Sequence, residues 1–250
     1  MEQSIQKTSH STITNRIDFW WALPLLMFVA GVFVVLYLGF AAFSGTNYAF
    51  GPYVSPVYAA PFVPSWWKFS PAFLLLWAPL GFRLTCYYSR KTYYQAAFLD
   101  PVACAVSEPY RKHYSGETKI PFILQNLHRY FLYLALIMLA LHWYDLFASV
   151  FQERGVYIGV GTLLIFFDAC ALTFYISGCH SLRHLMGGGR RCVSCECAGK
   201  IRYKAWEKIS ALNVFHNGWF WISLFSVVLA DLYIRLLAMG IIPFDPHLIF

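Results

Sequence analysis

The stretch VYIGVGTLLIFFDACALTFYISGCHSLRHLM, residues 156–186, decides the fold class of this chain. A helix that crosses a bilayer needs about 20 mostly apolar residues, and this stretch exceeds that length before it reaches an end that carries His and Arg. Its one acidic residue, Asp168, lies far from both ends. We therefore predict a membrane-spanning helix over 156–186.

Four other stretches of the chain have the same apolar character, at 18–43, 71–96, 124–150 and 205–239. The whole chain is 59% hydrophobic and only 12% charged, whereas a soluble domain carries about 25% charged residues. The first stretch is too long for a signal peptide and lacks a small-residue cleavage site. The sequence thus predicts an all-α integral membrane protein, a bundle of five transmembrane helices that forms a single membrane-anchor domain over 1–250.

The basic residues predict how this bundle is oriented. Of 19 Lys and Arg residues, 16 lie in the N-terminal segment, 83–129 and 183–208. The other three are Lys68, Arg154 and Arg235. Because cytoplasmic loops are enriched in Lys and Arg, we expect a cytoplasmic N-terminus and an external C-terminus. The cytoplasmic loops would be 97–123 and 187–204, and the external segments 44–69 and 240–250. The net charge of +7 is then a sign of topology and of contact with membrane lipids, and it predicts no nucleic-acid partner.

Cysteine and histidine residues concentrate at the predicted cytoplasmic ends of the helices. The candidate metal ligands are Cys86, Cys104, Cys179, His180, His184 and His216. Thiolate and imidazole ligands together suit an iron–sulfur cluster or zinc, and two Cys with two His is the Rieske arrangement. His180 and His184 are spaced to share one helix face. Taken singly, each Cys is better explained as a small core filler and each His as an interfacial polar residue, whereas the whole layer together favours a metal site.

Two other classes of protein stay open from the residues alone. A b-type haem takes axial histidines from two helices, and such a haem could lie between the last three predicted helices, since 18–43 and 71–96 contain no histidine. The run CVSCEC, residues 192–197, is consistent with a zinc knuckle or a cluster site. A transporter with a structural zinc loop is the less favoured alternative, because the helices lack paired broken segments.

Three segments resemble the membrane-anchor subunit of the type F succinate dehydrogenases, best known from mycobacteria. They are the run from FRLTCYYSRKTYYQ at residue 82 to HRYFLYLAL at residue 136, SGCHSLRHLMGGGR at 177–190, and SALNVFHNGWFWISLFSVVLADLYI at 210–234. The resemblance covers the chain from about residue 80 to its end. It departs from the family at Leu182, where the family usually has Cys, and in the CVSCEC run.

The resemblance implies a function as well as a fold. It implies a five-helix anchor in the bacterial cytoplasmic membrane, with a flavoprotein subunit and an iron–sulfur subunit docked on the cytoplasmic face. It also implies a Rieske-type [2Fe–2S] cluster in place of haem, and electron transfer from succinate to a quinone, either menaquinone or ubiquinone. The resemblance covers an anchor only, so a flavin or succinate site is not expected in this chain.

Quinone reduction needs hydrogen-bond donors to the carbonyls and a route for protons. The candidates near the level of the predicted cluster are Arg83, His128, Arg129, Tyr130, Arg183, Trp206, Ser210 and Asn213. We further predict that His184 and His216 act as a pair, with His180 as a substitute for either. For Asp168 we expect a hydrogen bond to a neighbouring helix, and for Asp231 and Arg235, spaced i and i+4, an ion pair.

Overall fold

The structure is a computed structural model that describes residues 19, 21–58, 63–93, 122–153, 155–187 and 197–249. Its α-helices are α1 (Ala22–Ser44), α2 (Ala72–Leu75), α3 (Trp77–Leu84), α4 (Tyr87–Tyr93), α5 (His128–Val150), α6 (Val160–Ser177), α7 (His180–Gly187), α8 (Cys197–Val214) and α9 (His216–Ala238). A 3₁₀ helix, Phe122–Leu127, leads into α5. The strands are β1 (Ala49–Phe50), β2 (Tyr53–Val54), β3 (Phe151–Gln152), β4 (Gly155–Gly159) and β5 (His247–Ile249).

Four helical stretches are long and apolar enough to cross a membrane: Ala22–Ser44, Ile123–Val150, Val160–Ser177 and His216–Ala238. They overlap four of the five predicted spans. The prediction of an all-α, multi-pass membrane protein is confirmed by these helices. The count of five uninterrupted helices is not reproduced, because three of the predicted spans are broken into shorter helices.

The predicted span 71–96 forms α2, α3 and α4 over its described part, with breaks at Leu76 and at Thr85–Cys86. Pro79 explains the first break, because proline has no N–H to donate to the carbonyl four residues earlier. At the second break the Thr85 hydroxyl donates to the Gly81 carbonyl at 2.7 Å. A side chain that bonds back to the preceding turn in this way often bends a helix.

The other two broken spans are interrupted next to each other in space. The span 156–186 divides at Gly178 and Cys179 into α6 and α7, and the span 205–239 divides at Phe215 into α8 and α9. The Gly178 carbonyl, which the break frees, accepts a hydrogen bond from Asn213 Nδ2 on α8 at 2.7 Å. The Asn213 side chain therefore connects the two breaks and supplies a hydrogen bond to the Gly178 carbonyl, which the interrupted helix no longer provides.

Helix α9 is at the centre of the packing and makes its most extensive contact with α6. Helix α5 packs on the other side of α6 and also against α3. Gly81 permits the approach of α3 to α5, because a side chain there would collide with the Phe131 ring. Helix α1 is more exposed, with Leu26, Phe33 and Phe43 among its outward residues. Such an apolar surface is expected of a helix that faces lipid.

The strands gather at one end of the bundle, which we call the strand end and define as residues 45–58, 151–153, 155–159 and 239–249. Strand β4 pairs with both β3 and β5, and β1 pairs with β2. Gly45 ends α1 in a left-handed conformation (φ 60°), which suits glycine. Residues 45–58 belong to the predicted external segment 44–69, and most of 239–249 belongs to the predicted external segment 240–250. Both lie at the same end of the bundle, as expected of two segments on one side of the membrane. Which side this is stays a prediction.

A buried ion pair on α9 lies near the strand end. Arg235 Nε is 2.8 Å from Asp231 Oδ2, and both side chains are almost fully buried. Tyr37 on α1 donates to the same carboxylate at 2.6 Å, and Arg235 Nη1 donates to the Thr46 carbonyl at 2.9 Å. The predicted pairing of Asp231 with Arg235 is confirmed, and it also ties α9 to α1 and the segment that follows α1.

Candidate functional site

The helix breaks place two thiols and two imidazoles at one level of the bundle. Cys86 follows the end of α3, and Cys179 lies between α6 and α7. His216 is the first residue of α9, and His128 is the first residue of α5 after the 3₁₀ helix. We call these four residues the Cys/His cluster. Each lies where one helical segment gives way to the next.

The four side chains are close in two mixed pairs. His128 Nε2 is 3.3 Å from Cys179 Sγ, and His216 Nε2 is 3.9 Å from Cys86 Sγ. Two aromatic rings connect the pairs. Phe82 stacks on His128 with centroids 4.6 Å apart, Tyr175 stacks on His216 at 4.9 Å, and Phe82 and Tyr175 meet edge to face at 5.5 Å.

The cluster is shielded from solvent and is not fully hydrogen-bonded. Cys86, Cys179 and His216 are 2%, 0% and 2% exposed, respectively. Within the described part of the chain, His216 Nδ1 and the Tyr175 hydroxyl are buried without a hydrogen-bond partner. Burial raises the pKa of the Cys179 thiol to about 11, so the thiol is protonated near neutral pH in the metal-free form. Buried donors without partners are uncommon and point to a functional role.

Arg83 borders the cluster on the side of α9. Its guanidinium donates to the Phe220 carbonyl at 3.0 Å and to Ser223 Oγ at 2.9 Å. The same group lies 4.7 Å from the centre of the Tyr175 ring. A cation is thus fixed beside the aromatic ring that stacks on His216.

A cavity of about 640 Å³ lies beside the cluster, between α1, α3, α5, α6 and α9. Most of its lining is aliphatic or aromatic. The polar residues that line it include Arg83, Tyr175, His142 and Asp145. Its size and mostly apolar wall, with a few polar groups, are typical of sites for small apolar ligands.

The structure brings together some of the predicted metal ligands and separates others. Cys86, Cys179 and His216 are in the Cys/His cluster. His180 and His184 are exposed on α7, with ring centroids 6.4 Å apart. The predicted pair of His184 with His216 is not formed here, because His216 is buried beside Cys86 and Tyr175. Cys104 lies outside the described residues, as do Cys192 and Cys195, and the side chain of Cys197 is not described.

The predicted quinone residues fall into three groups. His128 belongs to the Cys/His cluster, and Arg83 borders it. Arg183 and Ser210 are joined by a hydrogen bond of 2.8 Å, and Arg183 lies 5.2 Å from the centre of the Trp206 ring, so these three form a contact between α7 and α8. Asn213 bonds the Gly178 carbonyl, while Arg129 and Tyr130 are exposed.

A second buried polar pair lies deeper in the bundle. His142 Nε2 on α5 is 3.1 Å from Asp168 Oδ2 on α6. The other oxygen, Asp168 Oδ1, accepts from Ser226 on α9, which confirms the predicted hydrogen bond to a neighbouring helix. The sequence gives no signal for the partnership with His142, because it depends on the relative depth of α5 and α6, which their packing sets.

Sequence reasoning also missed the role of Tyr175 and the grouping of His128 with the thiols. Tyr175 is one of many aromatic residues in an apolar helix, and no pattern distinguishes it before the helices are packed. The sequence predicts His128 as a quinone contact near the level of the predicted cluster. Its proximity to Cys179 depends on the contact between α5 and the α6–α7 break, which no local pattern reports.

Taken together, the fold and the site define a multi-pass helical membrane protein with a buried Cys/His cluster where its helices are interrupted. The chain belongs to the family described as actinobacterial succinate dehydrogenase subunit SdhC, whose family model matches residues 22–240. It is therefore a membrane-anchor subunit of a succinate dehydrogenase complex and assembles with other subunits of that enzyme.

A solved structure agrees with this assignment. The chain is similar to one in the Mycobacterium smegmatis Sdh1 complex in the apo form, with 35% sequence identity and a TM-score of 0.83. The match covers 95% of this chain and 94% of that chain. No curated protein matches the chain significantly.

Proposed function

We propose that this subunit transfers electrons from the soluble part of a succinate dehydrogenase to a membrane quinone through a [2Fe–2S] cluster. The residues that would hold the cluster are Cys86, Cys179, His128 and His216. The observation that carries the proposal is the convergence of two buried cysteines and two histidines from four helical segments. When bound, the cluster would supply one-electron transfer at the level where quinone is reduced.

The donor set suits a two-iron cluster of the Rieske type. Such a cluster takes two thiolates and two imidazoles, with two protein ligands for each iron. Among the described residues, no three His, Cys, Asp or Glu side chains converge on a single ion position, so the arrangement does not favour a mononuclear metal. The unpartnered His216 Nδ1 is a further sign that the hydrogen bonding of this site is incomplete without a bound group.

A b-type haem is less well supported as the occupant. A haem with two axial histidines requires a flat space between the imidazoles. Here the Nε2 atoms of His128 and His216 each lie beside a cysteine sulfur, at 3.3 Å and 3.9 Å, and a haem with two imidazole ligands would leave both buried thiols without a role. The zinc-loop alternative depends on the CVSCEC run, which lies outside the residues whose side chains are described.

The protein residues around the cluster have identifiable tasks. Phe82, Tyr175 and Phe220 exclude water from the ligands, and they belong to one buried apolar cluster with Cys86 and Cys179. Arg83 holds a positive charge beside Tyr175 at the mouth of the cavity, where it favours electron-rich oxygen atoms of a quinone. The thiols must lose their protons when a metal binds, so assembly releases protons.

The decisive experiment is metal analysis of the purified complex with paired cysteine variants. We expect Cys179→Ala to remove non-haem iron and acid-labile sulfide that the wild-type complex holds beyond its soluble subunits. Cys170→Ala, on the same stretch of chain but outside the cluster, is the matched control and should retain both. Succinate oxidation with a soluble dye acceptor should persist in both variants, whereas quinone reduction should be lost only in Cys179→Ala.

Other outcomes would separate the alternatives. Equal iron and sulfide in the wild type and in Cys179→Ala would overturn the proposed ligand set. A haem b spectrum that disappears in His128→Ala and His216→Ala would favour the haem anchor. Comparison of His216→Ala with His184→Ala tests the predicted pairing of His184 with His216. Iron loss in both variants would show that His184 is also a ligand.

We also infer that the end opposite the strand end faces the cytoplasm of a bacterial cell and docks the flavoprotein and iron–sulfur subunits. The distribution of Lys and Arg supports this orientation. Single cysteines introduced at the exposed positions Tyr203 and Ile241 test it in a background without the accessible native cysteines. We expect a membrane-impermeant thiol reagent to label Ile241→Cys in intact cells and to label Tyr203→Cys only after lysis.

A further inference from the structure

The His142–Asp168 pair is the least explained polar feature of the membrane interior. Asp168 is fully buried and His142 is 8% exposed. Their contact has the length of an ion pair, 3.1 Å. Its angles do not meet those of a hydrogen bond, so within the described part of the chain His142 Nε2 and Asp168 Oδ2 both count as buried atoms without a hydrogen-bond partner. Ionisable groups at membrane depth are costly and are commonly functional.

The position of the pair connects it with the cavity. His142 lines the 640 Å³ cavity, and so does Asp145, which lies about one turn further along α5. Asp168 supports the imidazole from α6, and Ser226 on α9 fixes the carboxylate. Arg83 and Tyr175 line the same cavity on the side of the Cys/His cluster. Tyr175 and Asp168 are seven residues apart on α6, a rise of about 10 Å.

We propose that the cavity binds the quinone ring and that His142, oriented by Asp168, donates a proton to one of its carbonyl oxygens. This inference rests on the proposed function, since it assumes that quinone is reduced here. An apolar cavity suits the ring and the start of the isoprenoid tail, while Arg83 and His142, which both line it, supply the few polar contacts that orient it. A lipid acyl chain would need none of these polar groups.

The chemistry balances with groups named here. Reduction consumes two electrons, delivered from succinate by the docked subunits, and two protons. For the first proton, the N–H bond of the protonated His142 ring breaks and an O–H bond forms at a quinone oxygen. The neutral imidazole then regains a proton from water, and the second quinone oxygen takes its proton from water. Asp168 Oδ2 lies 3.1 Å from His142 Nε2 and positions the ring beside the cavity that His142 lines.

The charged and titratable groups that face His142 are few. Asp168 approaches from α6, and Asp145 lines the cavity from α5 itself. Arg83 on α3 and Tyr175 on α6 line the cavity towards the cluster, and α9 contributes the uncharged Ser226.

The test uses the assembled complex with His142→Gln and Asp168→Asn, and with His247→Gln at the strand end as the matched histidine control. General acid catalysis contributes about 10²–10⁴-fold, so we expect the kcat of quinone reduction to fall at least tenfold in His142→Gln. The KM for a short-chain quinone should change less than threefold. The solvent deuterium isotope effect on kcat should differ from that of the wild type, while dye reduction and iron content stay unchanged.

Asp168→Asn should show a smaller loss of kcat with the same unchanged iron content, because it keeps the imidazole but weakens the contact that positions it. The proposal is overturned if His142→Gln reduces quinone within twofold of the wild type. It is equally overturned if the variants lose iron and dye reduction together, since the pair would then serve folding.

A second measurement needs no substitution. A photoreactive quinone analogue bound to the wild-type complex should label peptides that contain the cavity residues of α3, α5 or α6. Labelling confined to the α7–α8 contact at Arg183 and Trp206, or competition by phospholipid as strong as by quinone, would place the quinone elsewhere. If the wild-type complex reduces dye but no quinone, the proposed function itself fails, which is a result distinct from either outcome above.

Discussion

The strand end and the Cys/His cluster are both buried and polar, yet they differ in how completely their polar atoms are satisfied. Asp231 receives hydrogen bonds from Tyr37 and Ser55 and is paired with Arg235. Asp245 accepts from the hydroxyls of Tyr53 and Tyr233, each at 2.6 Å. Within the described residues, no polar atom of Asp231, Arg235 or Asp245 is buried without a partner.

The Cys/His cluster shows the opposite pattern. His216 Nδ1 and the Tyr175 hydroxyl are buried without partners, and the nearest sulfur–nitrogen contacts are 3.3 Å and 3.9 Å. A satisfied network stabilises a unique fold, whereas unsatisfied buried donors weaken it unless a ligand completes them. The comparison teaches that burial and polarity alone do not identify a site in this bundle; the Cys/His cluster differs from the strand end in that some of its buried polar atoms lack partners.

The protonation of groups at the strand end agrees with this reading. Burial and the hydrogen bond to Asp245 raise the pKa of Tyr53 well above its ordinary value. The neutral phenol is thereby held as a permanent donor to the carboxylate. Such a group contributes the same hydrogen bond across the physiological pH range, as expected of a structural clamp between α6, α9 and the β1–β2 hairpin.

The largest effect should come from removing one partner of the buried ion pair. We expect Arg235→Met to lower the free energy of unfolding by about 3–5 kcal/mol, because an uncompensated carboxylate is left in the interior. The double variant Asp231→Leu with Arg235→Met should recover part of that loss. Thermal unfolding of the purified complex in detergent measures both.

Iron content sharpens this first prediction. Arg235→Met should reduce the amount of assembled complex while the iron held per assembled complex stays at the wild-type value. If Arg235→Met kept the stability of the wild type but lost iron, the strand end and the Cys/His cluster would not have separate roles.

An intermediate effect is expected at the α6–α7 break. A Cβ added at Gly178 would lie 3.1 Å from the Leu212 carbonyl oxygen and 3.3 Å from His216 Nδ1. Gly178→Ala should therefore cost about 1–3 kcal/mol through overpacking, and it should also lower the iron content by displacing His216. Gly218→Ala, where the added Cβ meets no atom within 4 Å, is the control for a glycine on the same side of the bundle. Equal iron content in the two variants would argue against His216 as a ligand.

The smallest effect is expected at Thr85, whose hydroxyl lies 3.0 Å from His128 Nδ1. Thr85→Val keeps the shape of the side chain and removes the hydrogen bond, so we expect a loss of about 0.5–1.5 kcal/mol. Because a hydrogen bond to the other ring nitrogen fixes the orientation of a metal-binding imidazole, the cluster's electron paramagnetic resonance spectrum should also shift. Thr85→Ser, which keeps the hydroxyl, should show neither change, and an unchanged spectrum in Thr85→Val would remove His128 from the ligand set.

The sequence by itself determined the class of this protein. Apolar stretches of the required length, a low charge content and the asymmetry of Lys and Arg follow from transfer of side chains between water and lipid, which is a local property of each segment. The pair of Asp231 and Arg235 was also predictable, because residues four positions apart on a helix are neighbours on its surface. The order of Cys, His and basic residues also carried the resemblance to the succinate dehydrogenase anchors.

Only the tertiary structure decided where the helices are interrupted and which side chains meet there. Pro79 explains one break, but the breaks at Cys86, Cys179 and His216 depend on side-chain and backbone hydrogen bonds between segments that are far apart in sequence. The contact of His128 with Cys179 spans 51 positions and that of Cys86 with His216 spans 130. The pairing of His142 with Asp168 likewise requires the relative depth of two helices, which is set by their packing and cannot be obtained from the hydropathy of either one.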